Sequence, residues 1–282
     1  MIAAERLVGI RSKPLQALKE LSGLHIRERV NVIEALSTLM GQEVEMCNKY
    51  QIYADNAWLD DVFYAVEQTD FVGRNLKQIC GDCAWWNVDV YYTQGLGSEY
   101  AFHLERSASC TCCCINRPEL VMRDAQGEIL GKVRDPYPCC GSLTFQIRDP
   151  DDEKVLDMSS GCCPLGLWCP APYGPCSEIE MAITDADTGE TVGSVIKKVP
   201  STLKFLLSPD VDDYHVSFGR VSRPRHKALI MAMTIFMDFR YFNDNARDET
   251  PNIPKRVGGF LTDKDRSCRS WRNCSRSCGI EE

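Results

Sequence analysis

The segment Ala228-Leu-Ile-Met-Ala-Met-Thr-Ile-Phe-Met237 is almost wholly apolar, and Asp238 and Arg240 follow it closely. Ten helical residues rise only about 15 Å, whereas a membrane-spanning helix needs roughly 20 consecutive apolar residues. A helix that is apolar on every face is expected to be surrounded by protein. The segment therefore predicts a helix buried inside a folded domain. A membrane-spanning helix is the alternative interpretation.

Short segments of alternating polarity fill most of the chain before this helix. Each has four to eight residues and is bounded by Gly, Pro, Asn or Asp, which is typical of strands separated by turns. This spacing favours an antiparallel sandwich or barrel over alternating strand–helix units. The strand candidates are residues 62–66, 85–92, 119–122, 129–133, 143–147, 155–158, 178–184, 191–196 and 214–218.

An internal repeat links two of these regions. Residues 124–133 match residues 186–195 at a spacing of 62 residues, and Gly127 coincides with Gly189. Each copy predicts a hairpin: a strand, a polar turn with a Gly free to adopt positive φ, and a second strand. The repeat indicates two similar half-sheets in one closed domain, and chance similarity between two hairpins is the alternative.

Composition excludes several classes of protein. The net charge of −8 and the pI near 5.2 argue against a general nucleic-acid binder. The chain starts without the basic and apolar regions of a secretory signal, so we expect a reducing cytosol and no disulfide scaffold. The four histidines show no metal-ligand spacing, and no catalytic motif stands out. We therefore expect no covalent chemistry and classify the chain as a non-enzyme.

The cysteines are unevenly distributed. Twelve of the sixteen lie between Cys80 and Cys176, often as neighbours. Adjacent cysteines are poor disulfide partners for each other because the required Cα separation and Cβ orientation are rarely available. Free thiols for metal binding, redox chemistry or acylation remain as alternatives.

A specific order of motifs runs along residues 14–243. In combination, these motifs make the chain resemble the phospholipid scramblases of the calcium-linked, tubby-like type. In chain order they are Pro14-Leu15-x2-Leu18, Asn48-Lys49-Tyr50-x-Ile52, Glu67-x-Thr69-Asp70, Arg74-Asn75 with Cys80, the cysteine cluster at 110–114, two further cysteine pairs, Asp210-x-Asp212-Asp213-Tyr214 and the apolar helix at 227–242.

The resemblance implies a mainly β fold: a closed antiparallel β-barrel of two related halves around a central C-terminal hydrophobic helix. On this basis we expect three regions. Residues 1–42 form an N-terminal lead with short helices, and residues 43–243 form the tubby-like barrel with its central helix at 227–242. Residues 244–282, which are polar and of mixed charge, form a disordered tail.

The same resemblance implies an activity: ATP-independent, bidirectional, calcium-triggered movement of membrane phospholipids between leaflets. It places a palmitoylated protein on the cytosolic face of the plasma membrane, with a cytosolic or nuclear pool when acylation is absent. It also allows oligomers. The alternative is a membrane-tethered lipid-binding or scaffold protein with no transport activity of its own.

Four cysteines match the palmitoylated cluster of that family: Cys110, Cys112, Cys113 and Cys114. Several acyl chains give stable anchoring where one chain is marginal. Arg106 and Arg117 flank the cluster and are candidates for contact with anionic headgroups. Two alternatives are a four-thiolate zinc site that includes Cys80-x2-Cys83 and structural buried thiols. Adjacent cysteines rarely all bind one tetrahedral ion.

Asp210, Asp212 and Asp213 occupy the position of the family's calcium loop. Calcium takes six to eight oxygen ligands, so carboxylates at this spacing are suitable ligands. Val221 and Arg223 stand where the family has further acidic residues, and the charge of Arg223 opposes calcium. We therefore expect weak calcium binding or none, and a solvated acidic turn is the alternative.

A basic segment precedes the apolar helix. Arg223, Arg225 and Lys227 are candidate ligands for lipid headgroups of the anionic cytosolic leaflet, at about 1 kcal/mol for each charge near the surface. A solvated loop is the alternative.

Overall fold

The computed structural model describes residues 12–29, 48–55, 57–68, 84–94, 97–109, 116–137, 142–161, 164, 174, 177–198 and 213–242. Within these ranges the chain forms twelve strands, two α-helices and a π-helical turn, Asp238–Phe242. The helices are α1 (Lys13–Glu20) and α2 (Pro224–Met237). The strands are β1 (Gly23–Glu28), β2 (Lys49–Ala54), β3 (Ala57–Gln68), β4 (Trp86–Gln94), β5 (Gly97–Arg106), β6 (Glu119–Asp124), β7 (Ile129–Arg134), β8 (Thr144–Arg148), β9 (Lys154–Ser159), β10 (Glu178–Asp185), β11 (Thr191–Lys198) and β12 (Asp213–Ser217).

The strands form a closed antiparallel barrel in which each strand pairs with its neighbours in the chain. The barrel closes where β1 pairs with β12, with Gly23 opposite Ser217 and Ile26 opposite Tyr214. The structure thus confirms the expected fold, a mainly β closed barrel with a C-terminal helix. It also corrects the domain boundary at residue 43, because β1 lies within residues 1–42 and is an integral strand. The tail at 244–282 lies outside the described residues.

The alternation of side chains explains how the barrel fills its interior. On β1, Leu24 and Ile26 are fully buried, and on β12 the same holds for Tyr214 and Val216. Successive side chains of a strand point to opposite faces, so the residues between these positions lie on the outer face. Each strand therefore contributes about half of its side chains to one common core.

Helix α2 lies inside this core. Every residue from Lys227 to Met237 is buried, as expected for a helix with no polar face. Phe236 contacts Trp86 of β4 and Phe145 of β8, with ring centroids 6.0 and 5.6 Å apart. At the end of the helix, Asp238 bonds to side chains of β2 and β12. Contacts from strands on different sides of the ring show that the barrel encloses the helix.

The two copies of the internal repeat are hairpins of the barrel, β6–β7 and β10–β11. Gly127 and Gly189 have φ values of 85° and 70°, which a residue without a Cβ adopts at little cost. Asp124 and Asp185 precede the two turns, and each accepts backbone hydrogen bonds from the turn through Oδ1. The hairpin predicted for each copy is therefore confirmed.

Alternating strand direction gives the barrel two different ends. At the turn end, short turns join β2–β3, β4–β5, β6–β7, β8–β9 and β10–β11. At the loop end, longer connections join β1–β2, β3–β4, β5–β6, β7–β8, β9–β10 and β11–β12. Helix α2 begins at the turn end and finishes at the loop end. Helix α1 covers the turn end and buries Pro14, Leu15 and Leu18.

Replacing Gly131 with Ala should destabilise the barrel. A Cβ at this position of β7 would lie 2.7 Å from Cδ1 of Leu229 and even closer to the carbonyl oxygen of Arg148. Because one neighbour is backbone, we expect the free energy of unfolding in urea to fall by about 1–3 kcal/mol. Gly97→Ala is the control, since its Cβ meets nothing within 4 Å. Equal losses for both variants would show that α2 is not packed tightly against β7.

Candidate functional site

All sixteen cysteines, including the predicted acylation sites Cys110, Cys112, Cys113 and Cys114, lie outside the described residues. The strand ends that flank them are described. The predicted acylation sites lie between Arg106, where β5 ends, and Glu119, where β6 begins. Cys47 and the twelve cysteines at 80–176 fall within five connections that all join strands at the loop end. The described strand ends that flank these thirteen cysteines in the sequence therefore all lie at the loop end.

The two arginines that flank the predicted acylation sites are engaged inside the protein. Arg106 is 3% exposed, and its guanidinium donates a hydrogen bond to the carbonyl oxygen of Ala84. Arg117 donates through Nη2 to Oδ2 of Asp135 at 2.9 Å and through Nε to the Asp135 carbonyl at 3.0 Å. These contacts fix the strand ends around the loop end, so neither guanidinium points freely towards a lipid surface.

A buried carboxylate holds the end of α2 at the loop end. Asp238 is fully buried, and its Oδ2 accepts a hydrogen bond from the Tyr50 hydroxyl at 2.7 Å. Its Oδ1 accepts a hydrogen bond from Tyr214 and lies 3.9 Å from Nζ of Lys197. Burial, with the Asp238 charge next, raises the pKa of Tyr50 well above its usual value, so this hydroxyl stays a donor. We call these four residues the Asp238 cluster.

Asp135 forms a second buried centre just beyond β7. Its carboxylate accepts hydrogen bonds from Arg117, from Nε of Arg240 at 3.0 Å and from the Tyr241 hydroxyl at 2.9 Å. Burial raises the pKa of Tyr241, and the Asp135 charge adds to this shift, so the hydroxyl stays protonated. Both carboxylates join the end of the central helix to strands of the barrel. Neither was predicted as a site, since their partners are distant in sequence.

Only one residue of the predicted calcium loop can be placed. Asp210 and Asp212 lie outside the described residues, whereas Asp213 is the first residue of β12. Its Oδ2 lies 3.7 Å from Nη2 of Arg27, and its Oδ1 lies 4.0 Å from Nδ1 of His25. A neighbouring arginine partly neutralises this carboxylate, and calcium binding stays a prediction.

The basic segment at 223–227 lies at the turn end, where α2 begins. Arg223 is exposed and Arg225 is half-buried, but Lys227 is only 6% exposed. The Lys227 ammonium donates hydrogen bonds to the carbonyl oxygens of Lys19 at 3.0 Å and Leu21 at 2.6 Å. Desolvation lowers its pKa. The structure therefore directs Lys227 inwards to α1, in contrast to the lipid-facing position expected from the sequence.

Two histidines and an aspartate meet on the outer face of the barrel. His25, Asp55 and His215 place one ligand atom each within 4.8 Å of one another. The sequence shows no ligand spacing for His25 and His215 because they lie near opposite ends of the chain. Pairing of β1 with β12 brings them together.

None of the helices in the described ranges combines the length and apolar character required to cross a membrane.

Comparisons with a family model and with individual proteins all indicate the same family. The model of the scramblase family matches residues 6–244. Mouse phospholipid scramblase 4 is 25% identical over 236 residues, which cover 81% of this chain and 64% of the relative. Bovine phospholipid scramblase 2 is 27% identical over 231 residues, covering 81% and 71%. Mouse phospholipid scramblase 1 is 25% identical over 238 residues, covering 83% and 65%. The chain thus spans about two thirds of the length of these relatives. No solved structure matches it at a significant level.

Removing the Asp238 carboxylate should strongly destabilise the fold. In Asp238→Ala, Lys197 and two tyrosine hydroxyls lose a buried partner, and we expect the free energy of unfolding to fall by about 3–5 kcal/mol. Asp157→Ala is the control, because Asp157 pairs with Lys154 at a partly exposed site and should contribute at most about 1 kcal/mol. Urea unfolding of both variants measures the difference. Similar losses in both would contradict a structural role for the cluster.

Stability should also depend on the protonation of His226. Burial, followed by the charges of Arg223 and Arg225, lowers the pKa of this histidine from 6.5 to about 4. The unfolded chain therefore binds a proton more readily, and unfolding should become easier as pH falls from 6.5 towards 4. His226→Gln should show a flatter pH dependence in urea unfolding than the wild type. Parallel curves would show that His226 does not titrate differently on unfolding.

Proposed function

The chain belongs to the scramblase family, and from that premise we propose that it moves phospholipids between the two leaflets of a membrane. The movement is bidirectional and needs no ATP, because the protein offers lipids a path down their gradient. The family match over residues 6–244 carries this proposal. It is supported by relatives that bear the name phospholipid scramblase at 25–27% identity.

Acyl chains attach the protein to the membrane in this proposal. Palmitate on Cys110, Cys112, Cys113 and Cys114 supplies several chains, and each buried CH₂ contributes about 0.8 kcal/mol. One chain gives marginal binding, whereas two or more give stable anchoring. Support comes from the topology, because the flanking strand ends lie at the loop end. The loop end then faces the cytosolic leaflet of the plasma membrane, and the turn end faces the cytosol.

Arg223 and Arg225 have a secondary role in this orientation. They lie at the turn end. When the loop end faces the membrane, these two residues are therefore on the side of the barrel away from it. Basic residues add about 1 kcal/mol each only within a short distance of an anionic surface. We therefore assign headgroup contact by Arg223 and Arg225 to a tilted barrel, and Lys227 makes no such contact while it binds α1.

Calcium is the proposed trigger, acting weakly. The proposed ligands are the carboxylates of Asp210, Asp212 and Asp213. Asp213, the first residue of β12, lies at the loop end and therefore next to the proposed membrane surface. Arg27 beside Asp213 opposes the cation. A loop with few ligands and a nearby positive charge gives low affinity. Triggering in this proposal therefore needs calcium concentrations well above those that saturate a high-affinity calcium sensor.

Lipid transfer in reconstituted vesicles tests the proposal. The acylated full chain is placed in vesicles with a fluorescent phospholipid in both leaflets, and an impermeant reductant then bleaches the accessible label. Scrambling predicts calcium-dependent bleaching of the inner-leaflet label, which protein-free vesicles retain. Protein that binds the vesicles without exposing inner-leaflet label would contradict the proposal and favour a tethered lipid-binding scaffold.

Cysteine variants test the acyl anchor independently of lipid transfer. Replacing Cys110, Cys112, Cys113 and Cys114 with Ser should abolish acyl-biotin exchange labelling and move the protein from the membrane fraction to the cytosol. Replacing Cys268, Cys274 and Cys278 with Ala is the matched control and should leave both unchanged. An Arg223→Gln/Arg225→Gln double variant should remain in the membrane fraction. Membrane binding that survives loss of the four cysteines would contradict the acyl anchor.

A further inference from the structure

His25 and His215 face each other across the seam at which the barrel closes. They are direct partners in the β1–β12 register, and their ring centroids lie 4.5 Å apart. The neighbours of each histidine along its strand are buried in the core, so both imidazoles lie on the outer face. Asp55, in the turn after β2, reaches the same point, and its amide donates a hydrogen bond to the carbonyl oxygen of Gly23 at 3.3 Å.

The three side chains point their ligand atoms at one another. Oδ1 of Asp55 lies 2.8 Å from Nε2 of His215 and 3.2 Å from Nε2 of His25. All three ligand atoms lie within 4.8 Å of one another. Ligands around a tetrahedral zinc ion, with bonds of about 2.0–2.1 Å, are separated by about 3.4 Å. Small side-chain movements therefore suffice to place three ligands around one ion.

The donor set is specific in its chemistry. Two imidazole nitrogens and one carboxylate oxygen suit zinc and its neighbours among the divalent transition metals, whereas calcium and magnesium prefer oxygen ligands alone. Three protein ligands with one open position are a recurrent zinc arrangement. His25 is only 6% exposed, so its surroundings restrict the orientation of the ring.

A further carboxylate lies behind His25. Oδ1 of Asp213 is 4.0 Å from Nδ1 of His25. A metal-bound histidine commonly donates its other ring N–H to a carboxylate, which fixes the tautomer and the orientation of the ring. Asp213 is placed for this contact after a shift of about 1 Å, and Arg27 holds it from the other side at 3.7 Å. Asp213 is thus a positioning residue for His25.

We propose that His25, Asp55 and His215 bind one zinc ion, or a divalent transition-metal ion of similar chemistry, on the outer face of the barrel. The ion links β1, β12 and the β2–β3 turn, so it stabilises the pairing of the first and last strands. None of the three ligands belongs to the predicted calcium loop, although Asp213 is common to that loop and to the surroundings of His25. The site does not depend on the proposed lipid transfer.

Zinc binding to the purified full chain tests the site. The accessible cysteines are first blocked with N-ethylmaleimide, and zinc is then titrated by calorimetry and counted by elemental analysis after desalting. His215→Gln and Asp55→Asn should each bind one zinc equivalent fewer than the wild type. His103→Gln is the matched control, because His103 pairs with Asp89 at 2.7 Å on β4–β5 in a cluster with a single histidine. It should bind as much zinc as the wild type.

Two measurements distinguish loss of the site from loss of the fold. Zinc should raise the melting temperature of the wild type but not that of Asp55→Asn, whose side chain has nearly the same shape. Cobalt bound to the wild type should show visible ligand-field bands without the sulfur-to-cobalt charge transfer of a thiolate site. Equal zinc content in all variants, or a thiolate spectrum in place of the nitrogen–oxygen one, would overturn the proposal.

Asp213→Asn tests the positioning role separately. We expect zinc affinity to fall by about 10- to 100-fold, with the stoichiometry unchanged and the melting temperature of the metal-free protein close to that of the wild type. Unchanged affinity would remove Asp213 from the site.

Discussion

Enclosure of an apolar helix is the constraint on which the structure depends. Helix α2 offers no polar face to water, so it is stable only where protein surrounds it. Its internal hydroxyl is satisfied locally, since Thr234 donates to the carbonyl oxygen of Ile230 at 3.0 Å. The barrel supplies the enclosure through inward-facing side chains of its strands, and the helix in turn fills an interior that the strands alone would leave empty. Barrel and helix are therefore expected to unfold together.

Buried charge fixes where the helix ends. Asp238 and Asp135 hold the loop end of the helix to strands β2, β7, β11 and β12 through hydrogen bonds and nearby cations. Burying a carboxylate is costly unless its partners are complete, so such clusters tolerate only one arrangement. Lys227 has the corresponding role at the turn end by holding α1. The proposed zinc site uses a different surface, the outer face of the barrel where β1 pairs with β12.

Local sequence patterns predict most of this fold. The features that these patterns do not predict depend on contacts between residues distant in the chain or on irregular strand pairing. The buried helix and the hairpins at 124–133 and 186–195 follow from polarity and glycine placement. Strand β5 is missed because a bulge opposite Val90 and Tyr91 places both Ala101 and Phe102 inside, which interrupts the alternation of polarity. His25 and His215, and equally Asp238 and Tyr50, are partners only after the chain folds. No spacing in the sequence predicts these contacts.

Hydrogen–deuterium exchange of the central helix tests enclosure most directly. If the barrel encloses the helix, the amides of Ala228–Met237 should exchange as slowly as the most protected strands, both in solution and on reconstituted vesicles during lipid transfer. Protection of this kind means that the helix becomes exposed only when the whole barrel unfolds. Rapid exchange of the helix on vesicles, while β6–β9 stay protected, would contradict the account, since the helix would then leave a barrel that stays folded.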